Sequence, residues 1–250
     1  MTLTDGQYEE RVVVFIDILG FRELIRKTVQ DASHYANIKN ALNVISSLKE
    51  ENDHGILAEK EIGKEVTVFS DSIVVSYPVS LLGSVFYLLL DIVHLQLEML
   101  RFGILMRGGM TVGKLYHNDN IVYGPAMIEA YELESKVAVY PRVLVSKMAL
   151  ETAIKFPLNP PEEELKYVID LLHEDFDSQL YVNFMSQWQE VDDSVDYLKA
   201  LLNIKNVIEG ALKEYEAKPS ILVKYEWLKK YYTSVVEGLK PEYTKGLHIK

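Results

Sequence analysis

Apolar residues along this chain come as short unbroken runs alternating with stretches of helical periodicity. Val12-Val13-Val14-Phe15-Ile16 has the length and β-branched content of a buried strand; it ends at Asp17, and the turn Ile18-Leu19-Gly20-Phe21 opens a new segment. Helical spacing follows over 21–27 and again over 32–50, where Ile38, Leu42, Ile45 and Leu48 fall on one face and the polar stretch 50–55 closes the helix. Val66-Thr67-Val68-Phe69 and Ile73-Val74-Val75-Ser76-Tyr77 are separated only by Ser70-Asp71-Ser72, which predicts a hairpin with Asp71 at its tip. After Pro78, the greasy segment 80–99 predicts a buried helix ending near Arg101-Phe102-Gly103. Extended structure resumes over 104–112, where Gly108-Gly109 permits close approach of another chain or a ligand; a second hairpin turns at 117–120 into Ile121-Val122-Tyr123. Gly124-Pro125 starts a helix through Ala126, Ala130, Leu133 and Val137, and Val143-Leu144-Val145 is a strand whose following helix is capped by Ser146.

The proline and acid cluster 157–164 has no periodicity and marks a boundary between a core, 1–156, and an extension, 157–250. In the extension, 167–169 and 180–184 read as short strands flanking Glu174-Asp175-Phe176-Asp177, and two helices are predicted over 195–215 and 220–239. Tyr225, Trp227, Leu228, Tyr231 and Tyr232 on the second helix read as core or as a subunit contact. The order strand, helix, helix, hairpin, helix, hairpin, helix, strand predicts an α+β fold: an antiparallel or mixed sheet carrying helices on one face, with a mostly helical extension packed on it. A doubly wound parallel sheet would need a helix at each crossover.

Composition narrows the function. An apolar share of 48% over 250 residues is ample for a core, and a net charge of −11 without a Lys/Arg cluster excludes a broad nucleic-acid surface. An anionic substrate would then need a local cation, most economically a divalent metal held by carboxylates. With no cysteine there is neither disulfide nor thiolate site, which fits a reducing compartment. The beginning of the sequence shows no secretory signal, and 80–99 carries Asp91, His94 and Glu98, so the expectation is a cytoplasmic protein without a membrane span. The six histidines give no zinc spacing, and neither a Walker loop nor a Rossmann fingerprint is present.

A carboxylate at the head of a greasy strand is expensive without a cation or hydrogen-bond partner. If the first strand and the first hairpin are neighbours, Asp17 and Asp71 converge at one sheet edge, and Mg²⁺ or Mn²⁺ between them would relieve their repulsion. The carbonyl of Ile18 is a further possible ligand, and the turn Leu19-Gly20-Phe21 leads to helix N–H groups that can face phosphates. Two such ions suit attack on the α-phosphorus of a nucleoside triphosphate, a demand shared by polymerases and cyclases. Taken alone, Asp71 reads as an ordinary turn residue, and it gains weight only beside Asp17.

Five motifs in order resemble the class III nucleotidyl cyclases: Phe15 to Phe21, Phe69-Ser70-Asp71-Ser72, Met106 to Gly113, Tyr123-Gly124-Pro125-Ala126 through Ala130 and Glu134, and Pro141-Arg142-Val143-Leu144-Val145-Ser146. The resemblance spans roughly 10–150 and implies a ferredoxin-like cyclase core. In finer wording the chain looks most like the pyrimidine cyclases of Pycsar antiviral systems, and the segments 173–177 and 224–228 extend the similarity. What this implies is conversion of UTP, or CTP, to the 3′,5′-cyclic monophosphate with two Mn²⁺ or Mg²⁺ ions, the product activating a downstream effector. The implied metal ligands are Asp17, Ile18 and Asp71. Implied substrate contacts are Phe15, Leu19, Gly20, Phe21, Thr67, Lys114, Ile121 and Arg142.

The chain also departs from the family pattern. Ile128 and Glu132 stand where the transition-state Asn and Arg of purine cyclases are expected, and Thr67 and Ile121 replace the lysine and aspartate that read adenine. Arg107, Lys114, Lys136 and Arg142 are candidate substitutes for the missing charge, Arg107 and Lys136 being the catalytic candidates. Their alternative readings are strand-end ion pairs for the arginines and surface charges for the lysines. Tyr77, Tyr123 and Tyr131 can crowd a base pocket or belong to the core. Because class III sites lie between two cyclase domains, one core implies a homodimer with two sites, for which the 117–120 tip is a candidate arm. A cyclase-like protein that binds nucleotide as a sensor or scaffold without turnover is the competing reading, and purine cyclisation is disfavoured by Thr67 and Ile121.

Overall fold

The computed structural model describes residues 8–54, 62–118, 120–191 and 193–249, with 49–54 described by backbone alone. The chain start, the polar side chains closing the second helix, and Asp119 at the second hairpin tip lie outside the described residues. In chain order the elements are β1 (Glu9–Ile18), α1 (Phe21–Thr28), α2 (Ala32–His54), β2 (Glu65–Phe69), β3 (Ser72–Pro78) and α3 (Ser84–Arg101). They continue as β4 (Met106–Asn118), β5 (Ile121–Tyr123), α4 (Pro125–Glu132), β6 (Val143–Val145), α5 (Lys147–Lys155) and α6 (Pro161–Asp170). The last are β7 (Leu172–Glu174), β8 (Leu180–Val182), α7 (Ser194–Glu214) and α8 (Pro219–Gly238).

The strands form one mixed sheet in the order β2-β3-β1-β4-β6-β8-β7, with β5 paired to β4, and the fold is α+β. Antiparallel pairs hold β1 between β3 and β4, while β4 and β6 run parallel. The sheet does not carry helices on one face only. Val12, Val14 and Ile16 enter the main core, while Val13 and Phe15 join Val74 and Leu115 beneath Ala126 and Ala130 of α4. A strand covered on both sides needs no polar alternation, which is why Val12–Ile16 is apolar throughout. Asp17 continues the Val13–Phe15 series and so lies on the α4 face.

Gly109 lets α4 approach. A side chain there would sit 2.6 Å from the Ala130 carbonyl oxygen and against Leu133. The helix continues past Glu132 into a π turn over Leu133–Val137, closed by the Ala138 N–H donating to the Leu133 carbonyl at 2.8 Å.

Residues after 157 depart from expectation twice. The proline and acid cluster is irregular only to Pro160 and from Pro161 is the first turn of α6, and 167–169 are helical rather than a strand. Pro161 suits a first turn, and Glu162, Glu163 and Glu164 favour the positive end of the helix. Glu164, fully buried, accepts from the backbone and side-chain nitrogens of Asn159 at 3.2 and 3.0 Å. Further on, β8 pairs with β6, so the sheet runs on through the extension. Trp227, Leu228, Tyr231 and Tyr232 of α8 are buried. Among the described residues, no helix is long and apolar enough to cross a membrane.

Candidate active site

Tight hairpin geometry brings the two aspartates together. The turn between β2 and β3 consists of Ser70, held in the left-handed region at φ 55°, and Asp71, whose carbonyl accepts from the Ile18 N–H at 3.1 Å. Asp17 lies opposite Ser72 on one side and Arg107 on the other. Ser72 Oγ donates to Asp17 Oδ1 at 3.1 Å, and Arg107 Nη2 stands 3.9 Å from Oδ2. Burial raises the Asp17 pKa; the Ser72 hydrogen bond opposes this, and the facing Asp71 carboxyl adds to it.

Glu134, delivered by the π turn and almost fully enclosed, completes the cluster. Its Oε1 lies 2.6 Å from Arg107 Nε, although the two are not aligned as a hydrogen bond. Burial raises the Glu134 pKa as well, against the pull of Arg107. Sequence reading named Glu134 as part of a family motif but gave it no role, since ordinary helical spacing does not show which face a π turn will present.

Two facing carboxylates are a pair of hard-oxygen donors. Among the described residues no group of three or more His, Cys, Asp or Glu side chains forms a metal cage. Asp17 and Asp71 are the side chains that could hold a hard divalent cation, a type of ion that carboxylates bind together with water and phosphate oxygens.

The remaining expected residues are dispersed. Phe15 packs edge-on against Tyr131, with ring centres 5.5 Å apart. The Leu19 N–H donates to Leu105 at 2.8 Å, and Gly20, at φ 74°, turns the chain into α1 at Phe21. Thr67 is buried, its hydroxyl 2.9 Å from His117 Nε2. Lys114 pairs with Glu10 in the strand register, seven positions from the Asp17–Arg107 pair (17 − 10 = 7), or about 23 Å at the usual strand rise. Ile121 is exposed near the same far end. Lys136 points along its own helix to Glu132 at 2.5 Å and is 67% exposed. Ile128 and Tyr131 are exposed on α4, and Tyr77 is buried with its hydroxyl donating to Asp91 at 2.9 Å.

Arg142, expected as a substrate contact, lies inside the structure. Its side chain is fully enclosed, paired with Asp175 and, at 2.5 Å, with Asp177, and lies 5.1 Å from the Tyr140 ring centre and 5.9 Å from that of Trp227. Two carboxylates from the β7–β8 loop already use its forked donors.

No protein-family model and no curated protein matches the chain. Among solved structures, two described as a bacterial light-regulated adenylyl cyclase are similar to it. One is 14% identical, covers 81% of this chain and all (100%) of that one, and has a TM-score of 0.43. The other is 16% identical with a TM-score of 0.40, over 82% of this chain and 59% of that one.

A cavity of about 920 Å³ lies on the other face of the sheet, lined by Val14, Ile16, Leu88 and Ile92 among others, and includes none of the acidic pair.

Proposed function

We propose that the chain is a nucleotidyl cyclase of the class III type acting on a pyrimidine nucleoside triphosphate, UTP in preference to CTP. The observation that carries this reading is the convergence of Asp17 and Asp71 at one end of the sheet with Arg107 beside them. In the reaction the ribose 3′-oxygen bonds to the α-phosphorus while the bond to the bridging oxygen of the pyrophosphate breaks, and the 3′ proton is released. Asp17, Asp71 and the Ile18 carbonyl would hold divalent ions, which would supply Lewis-acid neutralisation of the phosphate charge.

The chain's own groups orient and polarise. Ser72 fixes one oxygen of Asp17, and Glu134 holds Arg107 so that its outer N–H groups remain available to a phosphate. The first-turn N–H groups of α1, one residue beyond Gly20, suit further phosphate oxygens. With Thr67 engaged by His117 and Ile121 apolar, neither position offers the charged pair a purine base would use. Lys114 and Ile121, remote from the acids of their own chain, suit a homodimer in which one copy's far end meets the other's acidic end. The cyclic product would act as the messenger to a cyclic-nucleotide-activated effector in antiviral defence.

Incubation with each of the four ribonucleoside triphosphates and Mn²⁺, with the product identified by mass, tests this. Cyclic UMP or cyclic CMP is expected, falling by about 100-fold or more in Asp17→Asn and Asp71→Asn. Product from ATP or GTP alone, or activity indifferent to both substitutions, would refute it. Exposed Ile128 and Glu132, which bring no donor to a phosphate, favour a second reading as a nucleotide-binding sensor. Nucleotide binding without any cyclic product under either metal would establish that one.

A further inference from the structure

Cations able to meet a triphosphate are scarce at the acidic end of the sheet. Arg107 is held by Glu134, Arg142 is enclosed, Lys136 is tied to Glu132 at the surface, and Lys114 lies at the far end. The C-terminal helix brings one more. Its seat is fixed by a continuous series of contacts starting beside Arg107: the Gly108 N–H donates to the Arg142 carbonyl at 3.2 Å, and the Arg142 guanidinium lies against Tyr140 and Trp227. Trp227 in turn stacks on Tyr140 at 5.5 Å and donates from Nε1 to Asp175 at 2.7 Å. Lys224 precedes Trp227 by three residues, so the two share a face of α8 one turn apart.

Lys224 is half-buried, and its ammonium lies near enough to Arg107 and Glu134 to be influenced by both charges. Among the described residues it forms no ion pair of its own. Burial pushes its pKa down, Arg107 pushes it further, and Glu134 opposes the shift. One enclosed carboxylate thus lies between two cations: Arg107 also faces Asp17, whereas among the described residues Lys224 has no carboxylate of its own.

We infer that Lys224 is a phosphate-binding residue of the candidate site, through which the C-terminal extension supplies the same chain's triphosphate pocket with a second cation next to Arg107. The inference rests on the nucleotide reading above and gives α8 a part in it. What Lys224 recognises is the anionic tail, so base identity is left to other groups. The ligand class is a nucleoside triphosphate, and inorganic tripolyphosphate presents the same chemistry without the base.

The test uses the full chain with Mg²⁺ and measures binding of UTP and of tripolyphosphate to wild type, Lys224→Met and Lys224→Arg, alongside melting temperatures and Mn²⁺-dependent turnover. The methionine keeps the buried stem; Lys224→Gln replaces it should it fail to fold. Both ligands are expected to bind about tenfold more weakly to Lys224→Met, with most of the loss recovered in Lys224→Arg and KM raised more than kcat is lowered. Unchanged binding of both ligands in a folded Lys224→Met, or a wild type that binds neither, would overturn the inference. Cyclic product formed by Lys224→Met at the wild-type KM would remove Lys224 and leave the cyclase standing. Lys224-dependent tripolyphosphate binding with no cyclic product from any triphosphate would remove the cyclase and leave Lys224.

Discussion

Asp17 is a residue the fold carries at a cost. A carboxyl whose pKa is raised on folding binds its proton more tightly in the native state, so its contribution to stability improves as pH falls through the raised value and is unfavourable above it. Asp17→Asn removes that charge while keeping a polar partner for Ser72. The metal-free variant is therefore expected to melt about 2–4 °C higher than wild type at neutral pH, the equivalent of roughly 1 kcal/mol for a chain of this size. Scanning calorimetry in the presence of a chelator checks this, and an unchanged or lower melting temperature would count against a burial cost at Asp17. Loss of activity with gain of stability is the pattern of a functional rather than a structural carboxylate. Asp17 and Asp71 were both legible in the sequence because one ends a strand and the other occupies a hairpin with room for almost nothing else. Glu134 and Lys224 were not, since one depends on a π turn and the other on where a helix more than a hundred residues away comes to rest.

At the scale of elements, the Arg142 clamp joins β6, the β7–β8 loop and α8. Its hydrogen bond holds the Asp177 carboxyl below the ordinary range, partly opposed by burial. The sign is that of a depressed acid: the stabilisation is present above the unfolded value of about 3.9 and is lost as pH falls through the lower folded one. Urea unfolding between about pH 2 and 6 should show wild type losing stability over that window and Asp177→Asn losing less, so that the two converge at the acid end. Partial exposure of Asp177 keeps the difference modest, and parallel pH profiles would contradict the assignment. Arg142 read in sequence as a strand-end ion pair or a substrate contact; the ion pairs it makes are to acids 33 and 35 residues on, which spacing cannot pick out. Most elements were legible from β-branched runs and helical periods. The run Tyr167-Val168-Ile169 misleads because three apolar residues have no period, whereas the Pro161 and acid signature before them does mark a helix start.

For the whole molecule, the sheet sets a separation. Acids and Arg107 gather at one end of β1 and β4, while Lys114 and Ile121 stand at the other. A single chain cannot bring these ends together, so activity in the proposed cyclase should require two copies. Specific activity is expected to fall on dilution through the range where light scattering shows subunits separating, and constant specific activity across that range would contradict the paired arrangement. The α+β class and the mixed sheet followed from the order of elements in the sequence. Cover on both faces did not, because an apolar run gives no sign of which neighbours flank it. β4 runs for thirteen residues as one strand. In such a pair each copy's β4 would reach from one reaction centre to the other like a tie rod, so a ligand seated at either end would load both, and the two centres would be expected to work in concert.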